Sequence, residues 1–287
     1  MSSPLENRVV VMSGGSRGIG LAIAVALARA GARIALLAKT DVPHPKLPGT
    51  IHTAAEEIRA AGGEALPVVG DVREEEQVDA FVAQAVERWG GVDVVVNNAS
   101  AINLAPIADL PAKRYDLMFD INVRGTFLLT RAALPHLRAS DHAHVLTLSP
   151  PLSADPRWVR GHAAYTVTKM GMTMLTLGVA ADEAEHGVGA NCLWPRTLIA
   201  TAAVQNLLGG DRAMAMSRTP EIVADAARVI LERDPRTATG NAYMDDEVLA
   251  SAGVRDLEQY RAAAEGELAL DLFVEDWAPT ASGYVGK

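Results

Sequence analysis

The sequence predicts a doubly wound α/β fold, a parallel sheet with helices on both faces, built as a single domain with a C-terminal extension. Three observations predict it. Short β-branched runs alternate with helix-patterned segments of ten or more residues, the rhythm of βαβ units and a parallel sheet. A glycine-rich stretch, SGGSRGIG (13–20), falls where the first run meets the first helix. The chain has 287 residues, 49% hydrophobic and 21% charged, enough for one large packed core.

Taken in order, RVVVMS (8–13) is the first strand, and the apolar-periodic IGLAIAVALARA after the glycines is the first helix, closed by Gly31 as a C-cap. RIALLA (33–38) is the next strand, and a proline-punctuated loop, DVPHPKLPG, leads to the helix IHTAAEEIRAA. Gly62 and Gly63 end that helix before the strand EALPVVGDV; a helix over about Glu74–Trp89 and a strand in VDVVVNN (92–98) follow. The next helix starts at Pro111, a favoured first-turn residue, and runs into the 130s. HVLTLS (144–149) and GVGANCLW (187–194) are two further strands, with a helix carrying Tyr165 and Lys169 between them. Thr219-Pro220-Glu221 opens a late helix with a cap, a first-turn proline and an acid near the dipole, and GNAYMD (240–245) is a last strand. No repeat or low-complexity linker divides the chain, so residues 1–246 form the domain. Residues 247–287 are an extension packed on it or on a neighbouring subunit, with one apolar cluster, LFVEDW (272–277).

A formal net charge of -9 opposes nucleic acid or anionic membrane as a general partner, because phosphate attraction becomes repulsion. One cysteine, Cys192, allows no intrachain disulfide and no Cys-rich zinc site, which suits a reducing compartment. The N-terminus MSSPLENR has no apolar signal core, no run of 18 apolar residues could span a membrane, and SGYVGK is not a targeting tripeptide; cytoplasm is the expected compartment. His142 and His144 lack a third ligand at metal spacing, so no metal is expected. Cys192, in a predicted strand, reads as core packing.

The glycine turn is the first functional signal. Gly14, Gly18 and Gly20 would let the backbone turn tightly, let a pyrophosphate approach and let helix pack on strand. The spacing is neither GxGxxG nor a Walker loop, but its place directly after the first strand points to a dinucleotide. A carboxylate ending the second strand would bind the ribose hydroxyls of NAD. Here that strand ends Ala38-Lys39-Thr40, with Asp41 further into the loop. Lys39 and Arg17 could instead neutralise a 2′-phosphate, which favours NADP(H) over NAD(H); the alternative is two solvated cations. Asp71, ending the third strand, is placed to touch the adenine amino group.

Tyr165 and Lys169, at i and i+4, project from one helix face. A nearby ammonium, with the positive ring of an oxidised nicotinamide, would stabilise the phenolate and lower its pKa. The phenol could then give a proton to a ketone oxygen or take one from an alcohol. SGGSRGIG, NNAS (97–100), Asn122 in DINVRGTF, and YTVTK, in that order, resemble the short-chain dehydrogenase/reductase family, a Rossmann-like fold, over nearly the whole chain. More narrowly, AKTDVPHPKLPGTIHTAAEEI, NNASAI, LSPPL, AYTVTKMGM and LWPRTLIATAA resemble its hydroxysteroid dehydrogenase-like protein 2 group. Animal members of that group carry an added sterol-carrier-like domain, and the 287 residues end before one would fit.

The resemblance implies an enzyme with Tyr165 as acid/base and Lys169 tuning it while binding the nicotinamide ribose. Asn122 would hold a relay water, and Asn98 would line the cofactor floor. Ser16, Ile19, Val72 and Ala99 join the cofactor-binding set. Pro195 to Thr201 would cover the nicotinamide amide, although Pro195-Arg196 replaces the family's common Pro-Gly. A small carbonyl or alcohol substrate and a homodimer or homotetramer are implied. In the family a serine just past the fifth strand bonds the substrate oxygen, and Pro150 stands in its place. Ser149 is the favoured substitute, if proline-imposed geometry overrides strand alternation; Ser153 is the other candidate. Trp158 and Trp194 could flank an apolar cleft or simply pack, and LFVEDW could cover the cleft, dock on a neighbour or pack on its own domain. The competing functional reading, supported by Pro150, is a non-catalytic dinucleotide-binding or sensor protein with a degraded substrate site.

Overall fold

The computed structural model describes residues 3–43 and 48–275. Its strands are β1 (Val9–Ser13), β2 (Arg33–Ala38), β3 (Glu64–Val69), β4 (Val94–Asn97), β5 (His144–Thr147), β6 (Gly189–Trp194) and β7 (Ala242–Met244). They form one sheet in the order β3-β2-β1-β4-β5-β6-β7, and every neighbouring pair is parallel. The helices are α1 (Gly18–Arg29), α2 (Ile51–Ala60), α3 (Glu75–Trp89), α4 (Ala112–Met118), α5 (Gly125–Leu137), α6 (Pro156–Val159), α7 (Ala163–Asp182), α8 (Gly210–Ala215), α9 (Glu221–Leu231) and α10 (Asp245–Ser251).

Period-two alternation on buried strands feeds two cores. On one face Val10, Met12, Ile34 and Leu36 pack with Ile23 and Leu27 of α1, Ile58 of α2 and Ile222 and Ile230 of α9. On the other, Val9, Val11, Ala35 and Leu37 meet Phe81 and Val82 of α3 and Leu128 and Leu129 of α5. The strand order reverses between β1 and β4, which opens a crevice at their carboxyl ends where such sheets bind ligands. A third cluster, with Tyr165, Trp194, Met244, Phe273 and Val274, lies apart from these two.

Several boundaries differ from the sequence expectation. β5 stops at Thr147, because Ser149 turns back to donate its N–H to Thr147 O at 3.0 Å. The helix expected from Pro111 into the 130s is divided: Phe119–Arg124 is a π-helical segment between α4 and α5. Thr219 does not cap α9; Pro220 precedes the helix without a side-chain cap bond, and the Thr219 N–H is taken by Tyr260 O at 2.6 Å. Helix α10 was not expected. Its first turn holds Asp245, Asp246 and Glu247, acids that favour a helix N-terminus.

The later chain packs back on the domain. Tyr260 Oη donates to Asp225 of α9 at 2.6 Å, the Leu198 N–H bonds Ala269 O at 3.0 Å, and the Asp271 N–H bonds Arg196 O at 3.0 Å. Asp276 and Trp277 of LFVEDW lie outside the described residues. Among the described residues, no helix is long and apolar enough to cross a membrane.

Candidate active site

The glycine turn opens a cleft of about 1230 Å³ at the carboxyl edge, walled by Gly14, Ser16–Gly20, Lys39, Asp71, Val72 and Asn98–Ser100 among others. Each glycine has its own reason. Gly14 (φ 75°) and Gly18 (φ 55°) take left-handed backbone, which disfavours any Cβ. A Cβ on Gly14 would lie 2.8 Å from Ala99 Cα, and one on Gly20 would lie 2.6 Å from Gly14 O and 2.4 Å from Asn98 Nδ2. Asn98 Nδ2 donates to Gly14 O at 2.8 Å, and the Ala99 N–H to Ser13 Oγ at 3.2 Å, so the floor of the cleft is bolted to the turn. Arg17 precedes α1 in extended conformation, with no side-chain cap. The first N–H groups of the 12-residue α1 therefore keep their positive end available to an anion. Ser16, Ile19 and Val72 line the same cleft.

At the other end of the cleft, Lys39 Nζ pairs with Asp71 Oδ2 at 2.8 Å while its side chain stays 61% exposed. Arg73, which sequence reasoning missed although it lies two residues past Asp71, grips the same carboxylate through Nε at 2.9 and 3.0 Å and through Nη2 at 2.6 Å. Burial alone pushes the Asp71 carboxyl up; the Arg73 and Lys39 hydrogen bonds outweigh it and hold it well below the usual carboxylate range. Arg17 donates to the carbonyls of Pro48 and Gly49, both at 3.1 Å, with no carboxylate partner among the described residues. Asp41, the nearest acid after β2, bonds His52 Nε2 at 2.7 Å and does not line the cleft.

Tyr165 and Lys169 lie on the buried face of α7, 5% and 3% exposed. Lys169 Nζ donates to Leu148 O, just past β5, at 2.8 Å, and sits 5.1 Å over the Trp194 ring. Burial lowers Lys169 to about 7, against the opposing pull of Asp271. Burial, then the Asp271 charge, pushes the Tyr165 phenol up, the reverse of the expected tuning, and Lys169 does not offset it. Asn122, fully buried in the π-helical segment, is a strut. Its Oδ1 accepts the Ala101 N–H at 2.7 Å, and its Nδ2 donates to Ala101 O at 3.0 Å and to Thr168 Oγ1 at 2.9 Å. Thr168, also missed, donates in turn to Tyr165 O at 2.8 Å. Asn122 thus fixes the helical turn that carries Tyr165 and Lys169 against the loop after β4.

The structure does not bring Ser149 to Tyr165. Its hydroxyl is fully buried and accepts from Thr173 Oγ1 at 2.9 Å, eight positions beyond Tyr165 and so about 12 Å along the helix axis. Thr147 meets Thr176 of the same helix, so although the backbone turns after Thr147, the Thr147 and Ser149 side chains both face α7. Ser153 accepts the Asp155 N–H at 3.2 Å, a local turn. Pro195 and Thr197 are buried and do not line the open cleft; Ala200–Ala203 do. Thr197 Oγ1 is buried with no hydrogen-bond partner among the described residues. Arg196 is buried against Asp246 and Glu247, both at 2.6 Å, so the residue replacing the family's usual glycine locks this loop to α10. His142 and His144 bond backbone carbonyls of Leu231 and Arg233.

Sheet order, glycine turn and the Tyr165/Lys169 face together define a dinucleotide-dependent oxidoreductase class. The short chain dehydrogenase family model matches residues 8–210, and the chain belongs to that family, whose members bind nicotinamide dinucleotides. It is 47% identical over 272 residues to hydroxysteroid dehydrogenase-like protein 2 of Bos taurus, covering 95% of this chain and 64% of that one. The Xenopus tropicalis protein of that name is 48% identical with the same coverage, so the chain spans about 64% of the length of these relatives. A crystal structure of a short chain dehydrogenase from Mycobacterium thermoresistibile superposes with a TM-score of 0.91 at 52% identity, covering 99% of this chain and all of that one.

Proposed function

We propose that this protein interconverts a ketone and a secondary alcohol with NADP(H), on an apolar or lipid-like substrate. The observation that carries the reading is the buried Tyr165/Lys169 face of α7, tied by Asn122 to Ala101 beside the wall of the glycine-lined cleft. Three features fit a dinucleotide: the uncapped start of α1, the cradle that a Cβ on Gly14 or Gly20 would fill, and the unpartnered Thr197 hydroxyl. Gly14, Ser16 and Gly18–Gly20 would receive the pyrophosphate, Asp71 and Val72 the adenine, Asn98 and Ala99 the nicotinamide ribose, and Pro195 with Thr197 the carboxamide. When bound, the cofactor supplies or accepts the hydride.

The chain's own residues handle the proton. Tyr165 gives it to the carbonyl oxygen or takes it from the alcohol. Lys169, lowered to about 7, can exchange a proton near neutral pH, where proton transfer is most efficient. Asn122 holds the helical turn that aligns the two. Lys39 and Arg17 support NADP(H), because an exposed ammonium and a guanidinium without an acid partner among the described residues flank the cleft while Asp41 is turned to His52. Arg73 neutralises Asp71 and leaves that end of the cleft net positive.

The reading is tested by titrating NADPH and NADH in parallel by nucleotide fluorescence. Tighter NADPH is expected; tighter NADH would overturn the cofactor preference, and no binding of either would overturn the enzyme reading. The uncovered face of α5 and α7, where Phe127 and Met174 are 46% and 64% exposed, supports a homo-oligomer, since such apolar patches mark contact surfaces. Sedimentation velocity should show a dimer or tetramer; a monomer at high concentration would refute it. The rival reading, a binding protein without turnover, is favoured by the buried Ser149 and is separated by comparing turnover of wild type and Tyr165→Phe.

A further inference from the structure

Phe273 is a buried side chain of the third cluster, ringed by aromatic groups. Its ring stacks on Tyr165 at a centroid distance of 6.3 Å and a tilt of 28°. Trp158, His162 and Trp194 meet it edge-on at 6.0, 6.2 and 5.8 Å. Phe273 is 5% exposed, as is Tyr165 beneath it. A substrate whose carbonyl reaches the Tyr165 phenol needs room beside that phenol, and the phenyl group takes up that room.

Two features mark Phe273 as a removable occupant rather than a fixed wall. Its backbone is left-handed, φ 68°, a conformation costly to any residue with a Cβ; the ring's packing, not backbone preference, keeps it there. The hydrogen bonds that pin the segment stop one residue earlier, with the Asp271 N–H to Arg196 O at 3.0 Å and Trp194 Nε1 to Leu272 O at 2.8 Å. No hydrogen bond to the Phe273 backbone is formed among the described residues. The box also holds an unused donor: Trp158 Nε1 is buried without an acceptor among the described residues.

We propose that Tyr165, Trp158, His162 and Trp194 form a binding site for the ring of an aryl or cyclic ketone, and that the chain's own Phe273 fills this site until such a substrate displaces it. The inference rests on reading Tyr165 as the acid/base and adds the substrate class. Four aromatic walls suit a flat ring better than a branched or extended chain. Trp158 Nε1 gives such a ligand a hydrogen-bond donor that Ser149, turned inward, does not.

The test uses acetophenone as the ring ketone and butanone as the acyclic control, each titrated by ligand-observed NMR against the protein saturated with NADP+, which cannot donate hydride. Phe273→Gly removes the ring and suits the left-handed backbone. The variant is expected to bind acetophenone at least fivefold more tightly than wild type, with little change for butanone and an unchanged NADPH Kd. Unchanged or weaker acetophenone binding would overturn the proposal, weaker binding meaning that Phe273 is a wall of the pocket. On the wild-type protein, amide hydrogen exchange across 271–275 should speed up when acetophenone is added; slower or unaltered exchange would overturn it independently of the variant. Binding is read without turnover. Ring binding with no NADPH oxidation would therefore count against the oxidoreductase reading and leave the ring site standing.

Discussion

Gly20→Ala should damage stability and cofactor binding together. Inside a helix the exchange ordinarily gains about 1 kcal/mol, because alanine is the better helix former. Here the new Cβ would lie 2.4 Å from Asn98 Nδ2 and 2.6 Å from Gly14 O, the donor and acceptor of the 2.8 Å bond that joins the cleft floor to the glycine turn. Gly14 O is backbone and cannot rotate away, so either α1 moves outward or Asn98 gives up its bond. Overpacking of this kind costs about 1–3 kcal/mol, and a polar pair left unmatched about 1–3 kcal/mol more. Against the propensity gain, the net loss is about 1–5 kcal/mol. At about 2–4 °C per kcal/mol for a chain of this size, Tm should fall by roughly 2–20 °C. Thermal melts by circular dichroism, run beside an NADPH titration, measure both effects. The NADPH Kd should rise at least about tenfold, 1.4 kcal/mol. A Tm that holds or rises with cofactor affinity intact would refute the claim that Gly20 is required by close packing at the cofactor floor.

Lys39→Ala should weaken NADPH about tenfold and leave NADH within about twofold, since a charge-assisted bond to phosphate is worth about 1.5–3 kcal/mol and the exposure of Lys39 places it at the lower end. Equal losses for both nucleotides in the fluorescence titration would show that Lys39 does not read the 2′-phosphate. Asp271→Asn should stabilise the protein in a pH-dependent way. Burial, reinforced by the neighbouring Asp245 charge, pushes Asp271 up to about 7. The folded chain therefore holds a proton that the unfolded chain has lost between pH about 4 and 7, and this contribution disappears as pH rises through that window. The variant should exceed wild type in Tm at pH 8, and the gap should shrink steadily as pH falls toward about 4; a difference that stays constant with pH would contradict the assignment.

Much of the sheet was legible because buried parallel strands are continuous apolar runs, VVVM and IALLA among them. The glycine turn and the Tyr165/Lys169 pair were legible because their chemistry depends on short spacings. Less was legible where long-range packing decides. Arg73 stands beside Asp71 in the sequence, yet only the folded loop shows it sharing that carboxylate with Lys39. The role of Arg196 depends on α10, fifty residues later, whose acid-rich first turn was the available signal. Whether Ser149 faced the site depended on how far strand alternation persists past Thr147, which the neighbouring prolines left open. Phe273 reaches Tyr165 across more than 100 residues through a backbone conformation that no periodic pattern encodes.

The most direct test of the central claim is NADPH oxidation with a panel of aryl, cyclic and acyclic ketones, wild type beside Tyr165→Phe. The phenol is the proposed proton donor, and general acid catalysis is worth about 10²–10⁴ in rate. At least one ketone should be reduced by the wild type, and the variant should lose about that factor in kcat while keeping its NADPH Kd. Turnover that survives Tyr165→Phe would contradict the mechanism. Absence of turnover in the wild type, with NADPH bound, would favour the non-catalytic binding protein.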